Sequence, residues 1–305
     1  MGKRDFNRIS AAVIALAVLA LAPRFASGQA IYGKDAPLDR AAKSWQEEKA
    51  KLPKFDPPKT PDGQPDMQGY WGGIGSGDDI EAHPYVDLTT PPQESFLVDP
   101  PDGKIPYQPW ALAERNKYRA GLNRGWPGET GENLHVDPQL FCFTNIPRAN
   151  YRGGFQIVQT PGYFVFMLDW GHFFRIIPTD GRAHGVTSNV KLAMGESVGH
   201  WEGNTLVVDV TNLDGKLWLD SSGNFYSNTA HIVERWTMVS PRQIDYSVTI
   251  EDPRVYTRPW TINIAMNKAR NADEIWEHAC HEGERDTEHT QEVGYRPWWG
   301  VAPPK

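Results

Sequence analysis

From residue 154 to about 285 the chain alternates apolar and polar positions with a period of two, interrupted by turn signals. Strands are predicted at Phe155–Gln159, Tyr163–Asp169, His172–Ile177, Ser197–Trp201, Thr205–Thr211, Ala230–Val239, Gln243–Glu251, Thr261–Met266 and Glu274–Cys280. Asp180-Gly181, Gly203-Asn204, Asp214-Gly215 and Pro241-Arg242 mark turns between them. Short strands at this spacing, with no helix inserted, argue against a parallel sheet. They predict a mainly β protein, an antiparallel meander forming a lipocalin-like barrel or half-barrel, with a sandwich as the alternative.

The parity of these strands is mixed. In the predicted His172–Ile177 strand, His172, Phe174 and Ile176 share one face and Phe173, Arg175 and Ile177 the other. In the Ala230 strand, His231, Val233 and Arg235 alternate with Ile232, Glu234 and Trp236. A sheet with one face in water alternates more cleanly. Two structures give the observed pattern: a small barrel whose interior carries ligand contacts, or a buried ion pair such as Arg175–Glu234.

The preceding segment, 31–150, has another texture. Asp39 to Leu52 predicts a short amphipathic helix with Asp39 as a cap. A second helix is expected from Pro109 to about Leu122, with proline in its first turn. Between them lie the Pro-rich run Pro53–Gly63, Pro91-Pro92 and Pro100-Pro101-Asp102-Gly103. Such stretches are extended, lack ladder donors, and usually wrap over a core. The predicted organisation is 1–30 a signal peptide, 31–150 a Pro-rich arm with short helices, 151–285 the barrel and 286–305 a C-terminal tail.

Export follows from the N-terminus. Lys3, Arg4 and Arg8 precede the apolar run Ala11–Pro23, and small residues follow at Ala26-Ser27-Gly28 or Gly28-Gln29-Ala30. The run is short for a membrane span, so a cleaved signal and a periplasmic or secreted protein are expected. Gly2-Lys3-Arg4-Asp5-Phe6 also resembles a twin-arginine signal with lysine in the first arginine place. Cys142 and Cys280 are the two cysteines of the 305 residues. In an oxidising compartment they are expected to pair, worth ~4–5 kcal/mol in the chain-entropy picture. A reactive thiol at Cys280, beside His278 and His281, is the alternative.

Composition narrows the partners. There are 31 Lys+Arg against 38 Asp+Glu, a net charge of −7, and no basic block, which argues against nucleic acid. Twelve Trp and 39% apolar residues supply an aromatic-rich core and exclude a disordered chain. A homo-oligomer is compatible with this composition.

Several motifs together resemble one large family of exported bacterial proteins. Pro61-Asp62-Gly63-Gln64-Pro65-Asp66-Met67-Gln68-Gly69-Tyr70-Trp71 is similar to its PDGxPDLQGxW opening. The stretch Phe96-Leu97-Val98-Asp99-Pro100-Pro101-Asp102-Gly103-Lys104-Ile105-Pro106-Tyr107 is similar to its next segment. Gly199-His200-Trp201-Glu202-Gly203-Asn204-Thr205-Leu206-Val207-Val208-Asp209 and His231-Ile232-Val233-Glu234-Arg235-Trp236 continue the likeness over roughly 60–285. Val210-Thr211-Asn212-Leu213 stands where Thr-Thr-Asn-Phe is commoner. The resemblance implies export and leaves the chemistry to be read from the residues.

No HExxH, dinucleotide loop or phosphate loop is present. Gly195-Glu196-Ser197-Val198-Gly199 spells G-x-S-x-G, but strand material follows where a nucleophile elbow needs a helix. His278 and His281 face opposite sides if their segment is a strand, which weakens a metal reading. The remaining polar set is His172, Arg175, Asp209, Asp220, His231 and Glu234. Histidine with a carboxylate transfers protons near neutral pH, and Arg175 would stabilise developing negative charge. The expected roles are His231 as base, Asp220 or Glu234 as its orienter, and His172 and Arg175 on the charge. Trp170, Trp201, Trp236, Tyr246, Tyr256 and Trp260 are the expected aromatic wall.

These residues predict a pocket for a small apolar or aromatic molecule and cofactor-independent lyase, isomerase or hydrolase chemistry. A non-catalytic periplasmic binding or envelope protein is the first alternative. A metal-dependent hydrolase or oxidoreductase is the second. No cofactor is expected, and no membrane contact after cleavage.

Overall fold

The structure is a computed structural model of the whole chain, and it describes residues 42–73, 79–81, 94–120, 135–185, 187–269, 275, 296–297 and 300. Among these the protein is mainly β, with short helices and a ten-stranded antiparallel sheet curled into a nearly closed barrel. The chain order is α1 (Ala42–Lys49), β1 (Gly69–Gly72), β2 (Leu97–Asp99), α2 (Pro109–Ala120), β3 (His135–Val136), α3 (Arg148–Tyr151), β4 (Gly154–Thr160), β5 (Tyr163–Leu168), β6 (Phe174–Pro178), β7 (Glu196–Glu202), β8 (Thr205–Thr211), β9 (His231–Ser240), β10 (Gln243–Glu251), β11 (Trp260–Lys268) and β12 (Arg296–Pro297). β3 and β12 form a separate parallel pair.

The sheet runs β6-β5-β4-β1-β11-β10-β9-β8-β7, with β2 paired to β11. Tight turns join β4 to β5, β7 to β8 and β9 to β10, so these neighbours follow from chain order. The insertion of β1 does not. Trp71 of β1 sits opposite Phe155 of β4 and Lys268 of β11, joining the two halves of the meander. The Pro-rich arm therefore builds the barrel as well as wrapping it. Met67, Trp71 and Phe96 from the arm are all fully buried in the core.

The ends of the path, β6 and β7, meet through side chains. Arg175 Nε donates to Ser197 Oγ at 2.9 Å, and the Phe164 and Trp201 rings lie 6.2 Å apart. Gly199 lets β7 approach: a Cβ there would stand 3.0 Å from Ile177 Cγ2. α1 covers the outer face of β10 and β11. Its buried Trp45 donates Nε1–H to Asp245 at 2.8 Å, and Lys49 pairs with the same carboxylate. α3 has all four residues buried, and its Asn150 Nδ2 donates to Glu234 at 2.6 Å and to Tyr246 at 2.9 Å.

Strand predictions match to within a residue or two, with one informative difference. The strand expected at His172 begins at Phe174. Gly171 (φ 66°) and His172 (φ 53°) are left-handed and turn the chain in a 3-10 segment, Trp170–His172, before it can extend. Of the strand expected at Glu274–Cys280, only residue 275 is described, and His278, Cys280 and His281 lie outside the described residues. Cys142, buried and left-handed (φ 63°), has no free thiol.

Candidate functional site

The outward faces of β7, β8 and β9 carry a cluster of ionisable groups. Val208, Val210 and Ile232 point inward and are fully buried, so the alternation turns Asp209, Thr211 and His231 to the outside. Asp209 accepts hydrogen bonds from two imidazoles, His231 Nε2 and His184 Nε2, each at 2.7 Å. His184 arrives from the loop after β6. Its Nδ1 lies 3.3 Å from Thr211 Oγ1 and 3.3 Å from Glu196 Oε2. Glu196 also accepts from Gly185 N at 2.6 Å and from Asn212 Nδ2 at 3.1 Å, fastening the loop to the sheet. Asn212 is left-handed (φ 57°), a conformation that functional sites often retain. The His231 side chain is 40% exposed, Asp209 36% and His184 25%. The cluster is open to solvent yet mounted on strands.

Burial acts to raise the Asp209 pKa, but the hydrogen bonds from His231 and His184 outweigh it, so the carboxyl lies below its ordinary range. An ionised carboxylate only accepts. Both Nε2 atoms therefore carry hydrogen, and neutral His231 presents a basic Nδ1 lone pair. That atom has no hydrogen-bond partner among the described residues.

A second polar cluster lies inside the barrel. Arg175 Nη2 donates to Glu234, both side chains essentially unexposed. Glu234 Oε1 also accepts from Tyr246 Oη at 2.5 Å and Asn150 Nδ2 at 2.6 Å. Burial and the neighbouring Glu234 carboxylate push the Tyr246 hydroxyl well above its usual pKa, keeping it a donor. The Arg175 guanidinium stands 5.9 Å over the Phe166 ring. This is the buried ion pair that the strand parity allowed.

The predicted catalytic set is thus divided rather than assembled. His231 is outside and Glu234 inside, because odd and even positions of β9 face opposite ways. Glu234 cannot orient His231. Nor does Asp220, which is fully buried and accepts from Ile80 N at 2.9 Å, Ser222 N at 3.0 Å, and Asn224 N and Nδ2 at 3.2 and 2.6 Å. The carboxylate that His231 meets is that of Asp209. Arg175 points inward to its ion pair, and His172 sits in the turn before β6.

The aromatic wall is divided too. Tyr246 packs on Trp236 at 3.9 Å inside the barrel. Tyr256 meets Trp260 edge-on at 5.4 Å and donates to Phe225 O at 2.7 Å. Trp201 packs on Phe164 at the seam, and Trp170 lies in the 3-10 turn. Ser197 of the G-x-S-x-G stretch points into the barrel on an unbroken strand, without elbow geometry.

His184 and Glu196 were not foreseen as site residues. His184 lies in a loop without periodicity, and no local signal ties it to Asp209. Among the described residues no group of three or more His, Cys, Asp or Glu is disposed to hold a metal ion. No helix among them is long and apolar enough to cross a membrane. No family model, no curated protein and no solved structure matches the chain.

Proposed function

We propose that the chain is an exported, cofactor-independent acid/base enzyme that acts on a small, largely apolar molecule at the outer face of β7–β9. The observation that carries this reading is the single Asp209 carboxylate held between two partly exposed imidazoles at 2.7 Å. His231 Nδ1 takes a proton from the substrate or from a water. The positive charge then formed on the ring is stabilised through Nε2–H by Asp209, which also fixes tautomer and orientation. The proton returns to the product, so the enzyme ends unchanged. His184 holds the other carboxylate oxygen and limits its rotation. Val198 and Val233 stand opposite Asp209 on either side. The exposed Val190 and Leu192 follow His184 on the same loop. These apolar neighbours favour an apolar or aromatic substrate body, and proton transfer without a cofactor fits lyase, isomerase or hydrolase action.

The test is turnover of the purified protein against a panel of small aromatic esters, hydroxy acids and ketones, repeated with His231→Ala and Asp209→Asn. Turnover lost in both variants with the fold intact supports the reading. A substrate turned over at the wild-type rate by His231→Ala ends it.

The non-catalytic binder is supported by a separate observation. Among the described residues Arg175 Nη1 and Asn150 Oδ1 are buried without hydrogen-bond partners, a donor and an acceptor that a small polar molecule inside the barrel would satisfy. This reading expects saturable binding without product, indifferent to His231→Ala. A Cys142–Cys280 disulfide belongs to the same proposal of export. Mass after alkylation, with and without reductant, tests it, and two alkylated thiols in unreduced protein would refute it.

A further inference from the structure

We propose that the outer face of β5 and β6 is the contact surface of a homodimer, covered in solution by the same face of a second copy of the chain. The proposal concerns other strands than the outer site and does not rest on the chemistry assigned there. β5 reads Tyr163-Phe164-Val165-Phe166-Met167-Leu168, six apolar residues without a break. Phe164, Phe166 and Leu168 are buried in the barrel. Tyr163, Val165 and Met167 are left for the outside, where a sheet facing water carries polar side chains. A strand apolar on both faces has the composition of one that is buried on both faces.

β6 repeats the pattern. Arg175 and Ile177 point inward and are buried, while Phe174, Ile176 and Pro178 alternate with them on the outside. The register sets the two outward rows side by side, with Met167 opposite Phe174, Val165 opposite Ile176 and Tyr163 opposite Pro178. β4 continues the same rungs with Gln156, Val158 and Thr160. None of these residues is charged. The face ends at the exposed Asp180–Arg182 pair, whose guanidinium lies 5.4 Å over the Tyr163 ring. The other outer faces of the sheet differ. β7–β9 carry Glu196, Glu202, Asp209, His231 and Arg235 there, and β10 and β11 lie under α1.

The exposed area matches what a dimer needs. Phe174 is 67% exposed, Ile176 52%, Met167 39% and Tyr163 37%. Together they leave roughly 400 Å² of apolar surface in water, since a large side chain carries about 150–250 Å². That lies within the range of the largest patches monomers leave open, which are often functional. At the apolar fraction of about 65% typical of homodimer interfaces, it corresponds to about 600 Å² on each copy. The total of about 1,200 Å² is the lower bound for a specific, stable interface.

Charge selects the occupant. In a two-fold contact each copy presents the same patch, so the patch has to be its own complement. An uncharged face meets this condition, because apposing two copies sets no like charges together and buries no charge unpaired. It also offers no charge pattern by which a different protein would be steered to it. A lipid surface fits less well. The chain has 31 Lys+Arg against 38 Asp+Glu and no basic block to hold it on anionic headgroups.

Sedimentation velocity of the purified protein tests this. A reversible monomer–dimer equilibrium is expected between about 1 and about 100 μM, the weak end for an interface of this size. Phe174→Glu is expected to raise the dimer Kd at least about thirtyfold, as loss of a central anchor does, with the unfolding midpoint unchanged because the side chain is exposed. Leu112→Glu, at an exposed apolar residue of α2, is expected to leave the Kd unchanged. Monomers at every concentration, with or without capture on phosphatidylcholine vesicles, would overturn the proposal. So would a dimer whose Kd is the same in Phe174→Glu and in Ile176→Lys. Should these variants fail to fold, methyl spectra of the wild-type protein decide. The Met167 and Ile176 signals are expected to move with concentration while those of Leu112 stay fixed, and Met167 and Ile176 signals that do not move end the proposal.

Discussion

β9 carries the two polar clusters of the barrel on opposite faces, and the chemistry of the two faces differs. On the inside, Glu234 is closed off from water and bound to Arg175, Tyr246 and Asn150. Three positions earlier in the chain, His231 faces out and is joined to Asp209, with no partner on its other nitrogen among the described residues. An ion pair in a dry interior is costly to create and more costly to break. A half-exposed histidine is cheap to remove. Residues that hold the barrel together and residues on its open outer face thus stand side by side in the sequence.

Glu234→Ala is expected to have the largest effect. It leaves Arg175 buried without its anion and is expected to cost about 3–5 kcal/mol in urea unfolding. The double replacement Arg175→Met with Glu234→Leu is expected to recover most of that. A single-variant loss under about 1 kcal/mol would mean that the interior pair does not hold the barrel. His231→Ala tests the other face. Turnover should fall about 10²–10⁴-fold while the unfolding midpoint moves by less than about 1 kcal/mol. A large stability loss there would erase the distinction.

Gly199→Val probes the seam that brings β6 and β7 together. Its branches would press on Ile177 and Leu206, with an expected cost of about 1–3 kcal/mol. Asp209→Asn sharpens the outer face through pH. Because the folded Asp209 pKa is depressed, its stabilisation is present above pH 4 and is lost as pH falls through the lower, folded value. The variant should therefore show a shallower acid limb below pH 4. The effect stays under about 1 kcal/mol, since water screens so open a group. Arg258→Ala removes the exposed partner of Asp99 and is expected to leave the unfolding midpoint within error.

Much of the fold was legible from period-two patterning. Strands from Phe155 to Met266, their turns and the β class all follow from it, because a half-buried strand has to alternate. The faces of β9 were legible too, with His231 on one side and Glu234 and Trp236 on the other. Neighbours in space were not. Asp209 and His231 lie on paired strands separated by a nineteen-residue loop, from Asn212 to Ala230, and no pattern within either strand announces the pairing. His172 was misplaced because a left-handed residue interrupts the alternation without a proline or a second glycine to mark it. His184 gave no signal, since its role depends on a loop folding back over the sheet.

The position of β1 has a consequence for the order in which the molecule can be made. Gly69–Gly72 leaves the ribosome long before either strand it joins, and β11 is the last strand of the sheet to be synthesised. Until Trp260–Lys268 is complete, the wall cannot close at β1, and the edges of β4 and β1 stand open. Open edges invite pairing with other chains, and a contact between segments almost two hundred residues apart is slow to form. Closure is therefore an event of the finished polypeptide, so a chain truncated before β11 is expected to aggregate rather than to form a smaller barrel.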